Sequence, residues 1–381
     1  MITAKLGEHA RFLSGFAFKS SLFNSDGIGL PVVRIRDVLK GRSNTYFSGE
    51  YDEKFLVQDG DYLIGMDGQF NLGVWKSGPA LLNQRVCKVD YVSNDLDIRF
   101  LARILPLVLK KIEDDTPFVT VKHLSVKKLN ESIIPLPPVS EQKRIAAILD
   151  AADALRAKRR ETLAQLDTLL QSTFLEMFGD PVTNPKGWEL CPLTDIADLE
   201  NGDRSNAYPS GSDLVDEGVL FLSTKNIVDN HLIFDDCQFI TRVKFDSLSR
   251  GKLQRYDLVI TLRGTLGSCA VFDCQFDTGF INAQLLIIRP RRVKSLYLQA
   301  LLSSKPMRRH LERSATGVAV KQLTSKKVGA LSIPLPPPDL QNHFATIVQS
   351  VEQQKSRLRA HLDELDTLFA SLQARAFAGE L

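Results

Sequence analysis

"IPLPP" occupies residues 134–138 and is written again at 333–337, 199 positions later. Sliding the 381-residue chain against itself by that offset aligns 119–170 with 318–369 without a gap. Twenty of the 52 pairs are identical, where composition alone gives roughly three. The matches include Lys122/Lys321, Lys127/Lys326, Lys128/Lys327, Gln142/Gln341 and "LDTL" at 166–169 and 365–368. The chain is therefore an internal duplication.

Upstream of these tails the likeness is thin but continuous. "DYLIGMDGQFNLGVW" (61–75) faces "DLVITLRGTLGSCAVF" (257–272), in each case an apolar run, a glycine turn and a second run. Asn83 precedes Asn282 by 199, and "KLGEHARFLSGF" (5–16) echoes "PLTDIADLENGD" (192–203). Each half is a variable body followed by a near-constant tail, which is a shared frame carrying two different readers.

Proline fixes φ and disfavours helix in the residue before it, so "IPLPP" predicts a stiff extended connector. Ser140 and Asp339 follow as N-cap candidates. Helical spacing then runs through Ile145, Ile148, Ala152, Leu155, Arg159, Leu163, Leu166 and Leu170. In the second copy it runs through Phe344, Ile347, Val351, Gln354, Leu358, Leu362, Leu365, Phe369, Leu372 and Ala376. Both stripes are coiled-coil-like, with one stutter in the first and Arg159 standing where the second has Leu358. Gly179 and Pro181 end the first helix. Each helix is then ~58 Å long at 1.5 Å per residue, and a single apolar stripe of that length needs a long partner.

The predicted fold is α+β: two mixed α/β bodies joined by two long helices in an antiparallel coiled coil, with an internal pseudo-twofold repeat. The boundaries are 1–138 and 181–337 for the bodies, and 139–180 and 338–381 for the helices.

Composition narrows the function. Hydrophobic content of 44% and charged content of 24% describe a globular chain. No run of 18 apolar residues or signal-peptide pattern is present, so a cytoplasmic protein without a membrane segment is expected. The five cysteines form no CxxC pair and lack neighbouring histidines, which predicts reduced thiols and no zinc site. The net charge is only +3, but residues 287–327 carry eleven Lys/Arg against Glu312 alone. Such a run is either a solvated face or a phosphate-binding one.

No catalytic constellation is found: no GxGxxG after a strand, no P-loop, no HExxH and no GxSxG. The glycine loops "MDGQFNLG" and "LRGTLG" read as tight hairpins, and the six histidines are scattered. A non-catalytic binder is left. Two readers on a spacer suit a linear ligand with two separated marks, and DNA is such a ligand. A rod of ~58 Å covers at most about 17 base pairs at 3.4 Å each.

At this point the sequence resembles the specificity (S) subunits of type I restriction–modification systems, the HsdS family. The resemblance rests on "IPLPPVSEQKRIAAIL" (134–149), "IPLPPPDLQNHFATIV" (333–348), the junction "FGDPVTNPKGWELCPLTDIA" (178–197) and the opening "LGEHARFLSGFAFKS" (6–20). It extends over essentially the whole chain. Leu340 departs from it where the first copy has Glu141.

The resemblance implies two target-recognition domains reading the halves of a gapped double-stranded DNA sequence. It implies that the helices set the gap and dock two methyltransferase (M) subunits, and that restriction (R) subunits complete the complex. It also implies S-adenosylmethionine in M, ATP and Mg in R, and no cofactor in this chain.

Candidate DNA contacts in the first domain are Lys19, Arg34, Arg36, Gln69 and Asn71. Those in the second are Arg204, Asn206, Lys225, Asn226, Arg263 and Thr265, with Arg263 aligned on Asp67. The basic stretches 289–292 and 305–309, including Arg291, Arg292 and Arg308, are expected to hold phosphates. Arginine suits guanine and Asn/Gln suit adenine, although each residue is equally an ordinary solvated side chain. Gln142, Arg144, Gln341 and His343 are expected on the exposed helix faces that meet M. No catalytic or metal-ligating residue is assigned.

A scaffold joining two protein-binding modules remains as an alternative, as does a degenerate duplicated enzyme. A piece cut from a fused restriction enzyme is disfavoured, because the first reader starts at Lys5.

Overall fold

The computed structural model describes residues 2–116, 122–203, 205, 207–316 and 321–381. It divides into two compact units, Met1–Arg159 with His361–Leu381, and Arg160–Ala360. The boundary falls inside both long helices, Val139–Phe178 and Pro338–Ala378.

One topology is built twice. In the first unit a four-stranded antiparallel sheet runs Ala10–Ser14, Val86–Val92, Tyr62–Gly65, Leu72–Val74 in spatial order. Beside it a five-stranded sheet runs Phe23–Asn24, Tyr46–Phe47, Leu30–Val33, Ala80–Leu82, Leu56–Val57, and its 30–33/80–82 pair is parallel. The second unit repeats both. Its four-stranded sheet runs Ala197–Asn201, Leu285–Pro290, Leu258–Thr261, Cys269–Val271. Its five-stranded sheet runs Leu214–Val215, Gln238–Ile240, Val219–Leu222, Gly279–Ile281, Lys252–Leu253, again with one parallel pair. The repeat therefore extends through the bodies, where the two sequences barely match. The second unit adds a small hairpin, Ile227–Val228 with His231–Leu232.

"IPLPP" is extended but is not a free connector. Ile133–Pro135 pairs with Thr3–Lys5, and Ser332–Leu335 pairs with Glu189–Pro192. Each is half of a two-stranded ribbon, where a proline needs no partner for its missing N–H. The helices begin at Val139 and Pro338, so Ser140 and Asp339 lie in the first turn and are not caps. The cap carbonyls belong to Pro138, which accepts from Gln142 N (3.0 Å), and Pro337, which accepts from Gln341 N (3.2 Å). The first helix stops at Phe178 because Gly179 takes φ +81°.

Within each unit the two helices run antiparallel. In the first, Arg156 meets Asp366 and Arg159 meets His361. In the second, Asp167 meets Lys355 and Phe174 meets Phe344. The inward stripe differs from the one read in the sequence. Ile148 gives way to Leu149, and Leu155, 56% exposed, gives way to Arg156. In the second helix Lys355, 1% exposed, replaces Gln354. Val348, packed on the core with Phe344, likewise replaces Ile347, and with these changes both stripes step 4, 3, 4, 3 without a stutter.

The reason is electrostatic. Arg156 pairs with Asp153 on its own helix (3.0 Å) and Asp366 on the other. Lys355 pairs with Glu352 (2.6 Å) and Asp167 (2.7 Å). The offset of 199 carries Arg156 onto Lys355, Asp153 onto Glu352 and Asp167 onto Asp366. One ion triad is thus made twice, and each triad compensates a desolvated cation.

Each body packs on one helix near its start and the other near its end. The first core gathers Ile145, Ala146 and Leu149 with Phe100, Leu105, Ile134 and Ala376. The second gathers Phe174, Phe178 and Phe344 with Tyr297, Leu298 and Ile333, and the Phe178–Tyr297 ring centroids are 4.8 Å apart. Each such buried aromatic contributes on the order of 2–3 kcal/mol.

Candidate nucleic-acid interface

The two glycine loops are hairpin tips, as their sequence predicts. Gly68 and Gly264 take φ +73° and +77°, the left-handed region a tight turn requires. In the first unit Gln69 is exposed, and Asn71 folds back to donate to the Gln69 carbonyl (3.1 Å). Phe70 N donates to Glu113 Oε2 (3.2 Å), which ties this tip to the helix Ile98–Asp114. Lys19 and Arg34 are exposed, and Arg36 Nη2 donates to Thr45 Oγ1 (3.0 Å).

In the second unit Arg263 and Thr265 are exposed at the tip, and Arg263 Nε donates to Gln322 Oε1 (3.0 Å). Lys225 is exposed on a short turn whose Thr224 Oγ1 lies 3.5 Å from Gln284 Oε1. Arg263, Gln284, Asn282 and Tyr208 line one open concavity of about 330 Å³. The fold thus gathers Lys225, Arg263 and Thr265 into one region. Arg204 and Asn206 lie outside the described residues.

Three expectations are corrected. Asn226 is 4% exposed and faces inward. Its Oδ1 accepts from Ser223 N (2.9 Å) and its amide donates to the Ile233 carbonyl (3.3 Å), so it staples a turn and is not presented to a ligand. Of the basic stretch, Arg289 is spent on Asp257 (2.8 Å) and the Lys252 carbonyl. Arg308 is half-buried and donates to Ser268 Oγ (3.3 Å). Arg291, in a surface pair with Asp198 (3.4 Å), remains exposed, as do Arg292, Lys305 and Arg309.

The third correction concerns the helix starts. Gln142 is 0% exposed and Gln341 is 3% exposed, so neither lies on an outer face. Gln142 Nε2 donates to the Asp95 (2.7 Å) and Pro137 (2.8 Å) carbonyls, and Oε1 accepts from Asp97 N (2.7 Å). Gln341 donates to the Pro336 carbonyl and accepts from Lys294 N, both at 2.9 Å. Asp97 and Lys294 are the N-cap residues of the helices Ile98–Asp114 and Ser295–Ser303. These amides lock each body to its long helix. Arg144, paired with Glu141 (2.7 Å), and His343 are exposed.

The sequence reading missed four residues at the tips: Arg85, His123, Gln284 and Gln322. Asp67 Oδ1 lies 2.6 Å from His123 Nδ1, and Arg85 Nη1 lies 3.2 Å from the same nitrogen. A signal was present, since His123/Gln322 is a mismatch beside the identical Lys122/Lys321.

Among the described residues, no group of three or more His, Cys, Asp or Glu is placed to hold a metal ion, and no helix is long and apolar enough to cross a membrane. Burial pushes the Cys87 thiol up to about 12, and burial raises Cys269 too.

Comparison with known proteins gives consistent results. The family described as type I restriction modification DNA specificity domain matches residues 2–166 and 185–365. The type I restriction enzyme EcoBI specificity subunit of Escherichia coli is 31% identical over 403 aligned residues, covering 98% of this chain and 84% of that protein. The S subunit of a type I restriction–modification system from M. genitalium shares the fold at a TM-score of 0.57 and 15% identity, over 99% of this chain and 96% of that one. A chain solved in work on complex assembly and conformational transition of the type I R-M system gives 0.58 at 18% identity, over 100% and 98%.

Proposed function

The chain belongs to the type I restriction–modification DNA specificity family, and from that premise we propose that each unit reads one half of a split, gapped double-stranded DNA sequence. The family's role is recognition of a DNA target and not catalysis. The observation that carries the two-half reading is the doubled topology with unlike side chains at its hairpin tips. Two identical frames bearing different donors and acceptors suit two different half-sites.

The long helices continue as one antiparallel coiled coil and set the gap. Two M subunits dock on outward helix faces near Arg144 and His343, since Gln142 and Gln341 are internal. They bring S-adenosylmethionine for adenine methylation, R subunits bring ATP and Mg, and this chain brings no cofactor. Lys19, Arg34, Arg36, Gln69, Asn71, Lys225, Arg263 and Thr265 stay as DNA contacts, with Arg292, Lys305 and Arg309 on phosphates. The complex works in the cytoplasm, where the DNA is.

The test is a genome-wide map of methylated adenines with and without this gene, its partner methyltransferase being present. A gapped motif that vanishes with the gene supports the reading. No change, with the methyltransferase expressed and active, moves the chain to a protein scaffold.

A further inference from the structure

The hairpin tips of the two units are held by one backbone frame. In the first, Met66 N donates to the Arg85 carbonyl (2.9 Å) and Leu124 N to the Met66 carbonyl (2.7 Å). In the second, Leu262 N donates to the Gln284 carbonyl and Leu323 N to the Leu262 carbonyl, both at 2.9 Å. A single β-bridge completes each, Asp67 with His123 and Arg263 with Gln322. Positions 67, 85 and 123 therefore correspond to 263, 284 and 322. Below them Met66, Leu124, Leu262 and Leu323 are all buried, which fixes the frame and directs the three side chains away from the core.

On this shared frame the chemistry has been exchanged. The first unit sets Asp–Arg–His, with the Asp67 carboxylate against His123 and 3.6 Å from Arg85 Nε. The second sets Arg–Gln–Gln, with Arg263 held through Nε and both Arg263 and Gln284 facing one concavity. Gln322 is itself anchored by paired backbone hydrogen bonds with Thr316 (3.0 and 2.8 Å). Two further observations mark the first site. Arg85 holds φ +73°, costly for a side chain of its size. Two residues away, the buried Asn83 Oδ1 has no hydrogen-bond partner.

We propose that these three positions determine the half-site specificity of each domain: Arg263, aimed by Gln322, reads a guanine, and Asp67, flanked by Arg85 and His123, accepts from the exocyclic amine of a cytosine or adenine. The proposal rests on the DNA-recognition reading and adds which residues discriminate. With Nε engaged by Gln322, the outer edge of the Arg263 guanidinium presents two donors in the geometry of guanine O6 and N7. A carboxylate facing DNA is repelled by phosphates, and an amine donor on a base compensates it. Gln322 is a positioning residue, because it acts through Arg263.

The experiment maps methylated motifs made by the full complex of this chain with its methyltransferase, for wild type, Arg263→Ala, Gln322→Leu, Gln322→Glu and Asp67→Asn. Arg263→Ala should make one guanine position in one half-site degenerate, lowering its discrimination roughly ten- to a hundredfold, with the other half unchanged. Gln322→Leu should relax that same position, and Gln322→Glu, which keeps the acceptor, should preserve it. Asp67→Asn should alter the other half alone. An unchanged motif with affinity lowered evenly on all sequences would make Arg263 a phosphate contact and overturn the assignment. Both halves degrading together would overturn it as well. A wild-type complex that methylates no gapped motif would sink the underlying reading, and this assignment with it.

Discussion

Gln142 and Gln341 stand 199 residues apart with the same side chain, nearly the same burial and two equivalent partners, the carbonyl five residues earlier and the N-cap amide of a body helix. Asp67 and Arg263 share a backbone position just as closely and carry opposite charge. The duplication kept the first pair because a buried amide answers donors and acceptors that have no water to fall back on. At the second pair the surface tolerates change, and the frame beneath absorbs none of it. Constancy between the two copies marks where a body is fastened, and divergence on a fixed backbone marks where it reads.

The sharpest way to break this comparison is Gln142→Leu. It strands the Asp97 amide and the Asp95 and Pro137 carbonyls, and should cost about 3 kcal/mol in equilibrium denaturation. Gln341→Leu, which strands only the Lys294 amide and the Pro336 carbonyl, should cost somewhat less. Neutral behaviour at both would end the claim that these amides fasten the bodies.

Next in size, Asp167→Lys sets a cation against the buried Lys355 and should destabilise by about 2 kcal/mol. Lys355→Met, which removes the desolvated charge, should cost less than about 1 kcal/mol. Equal costs would mean that the ion triads do not fix the register.

A pH titration sharpens the difference between the units, since Asp153 meets Arg103 (2.9 Å) whereas its counterpart Glu352 meets His231 (3.2 Å). Burial pushes the Glu352 carboxyl up, but the hydrogen bonds from His231 and Lys355 win and lower it to about 2. Because the folded value lies below the ordinary 4.5, this stabilisation is full above about pH 4.5 and fades as pH falls toward 2. It is on the order of 1–2 kcal/mol, given that Glu352 is 32% exposed. Glu352→Gln should flatten that acid limb of the stability curve, and an unaltered limb would dismiss the pairing.

Smallest for folding are the exposed cations. Neutralising Arg292, Lys305 and Arg309 should change stability by under about 0.5 kcal/mol each. The salt slope of DNA binding by the assembled complex should fall by roughly one for each phosphate that is no longer neutralised. A slope that stays put would remove these three cations from the DNA-facing surface.

The helices, the duplication and the glycine turns were legible because each is a local pattern. Gly68 and Gly264 needed nothing beyond their neighbours to be read as hairpin tips. The helix stripe was legible in period but not in phase. Leu155 is the apolar choice, yet Arg156 turns inward because Asp366, 210 residues away, waits on the opposite helix. The five-stranded sheets were not legible, since their pairings are two or three residues long and join segments that share almost no sequence between copies.

By itself, then, the sequence determined that this protein is one frame written twice, with two unlike bodies on two alike helices. Tertiary structure decided which polar side chains belong to the frame. Gln142, Asn226 and Lys355 look like surface residues in the chain, and each is buried by partners it does not announce. Burial of a polar group is settled by what meets it in space. For Gln142 and Lys355 those partners lie 45 and 188 residues away, beyond the reach of any local pattern.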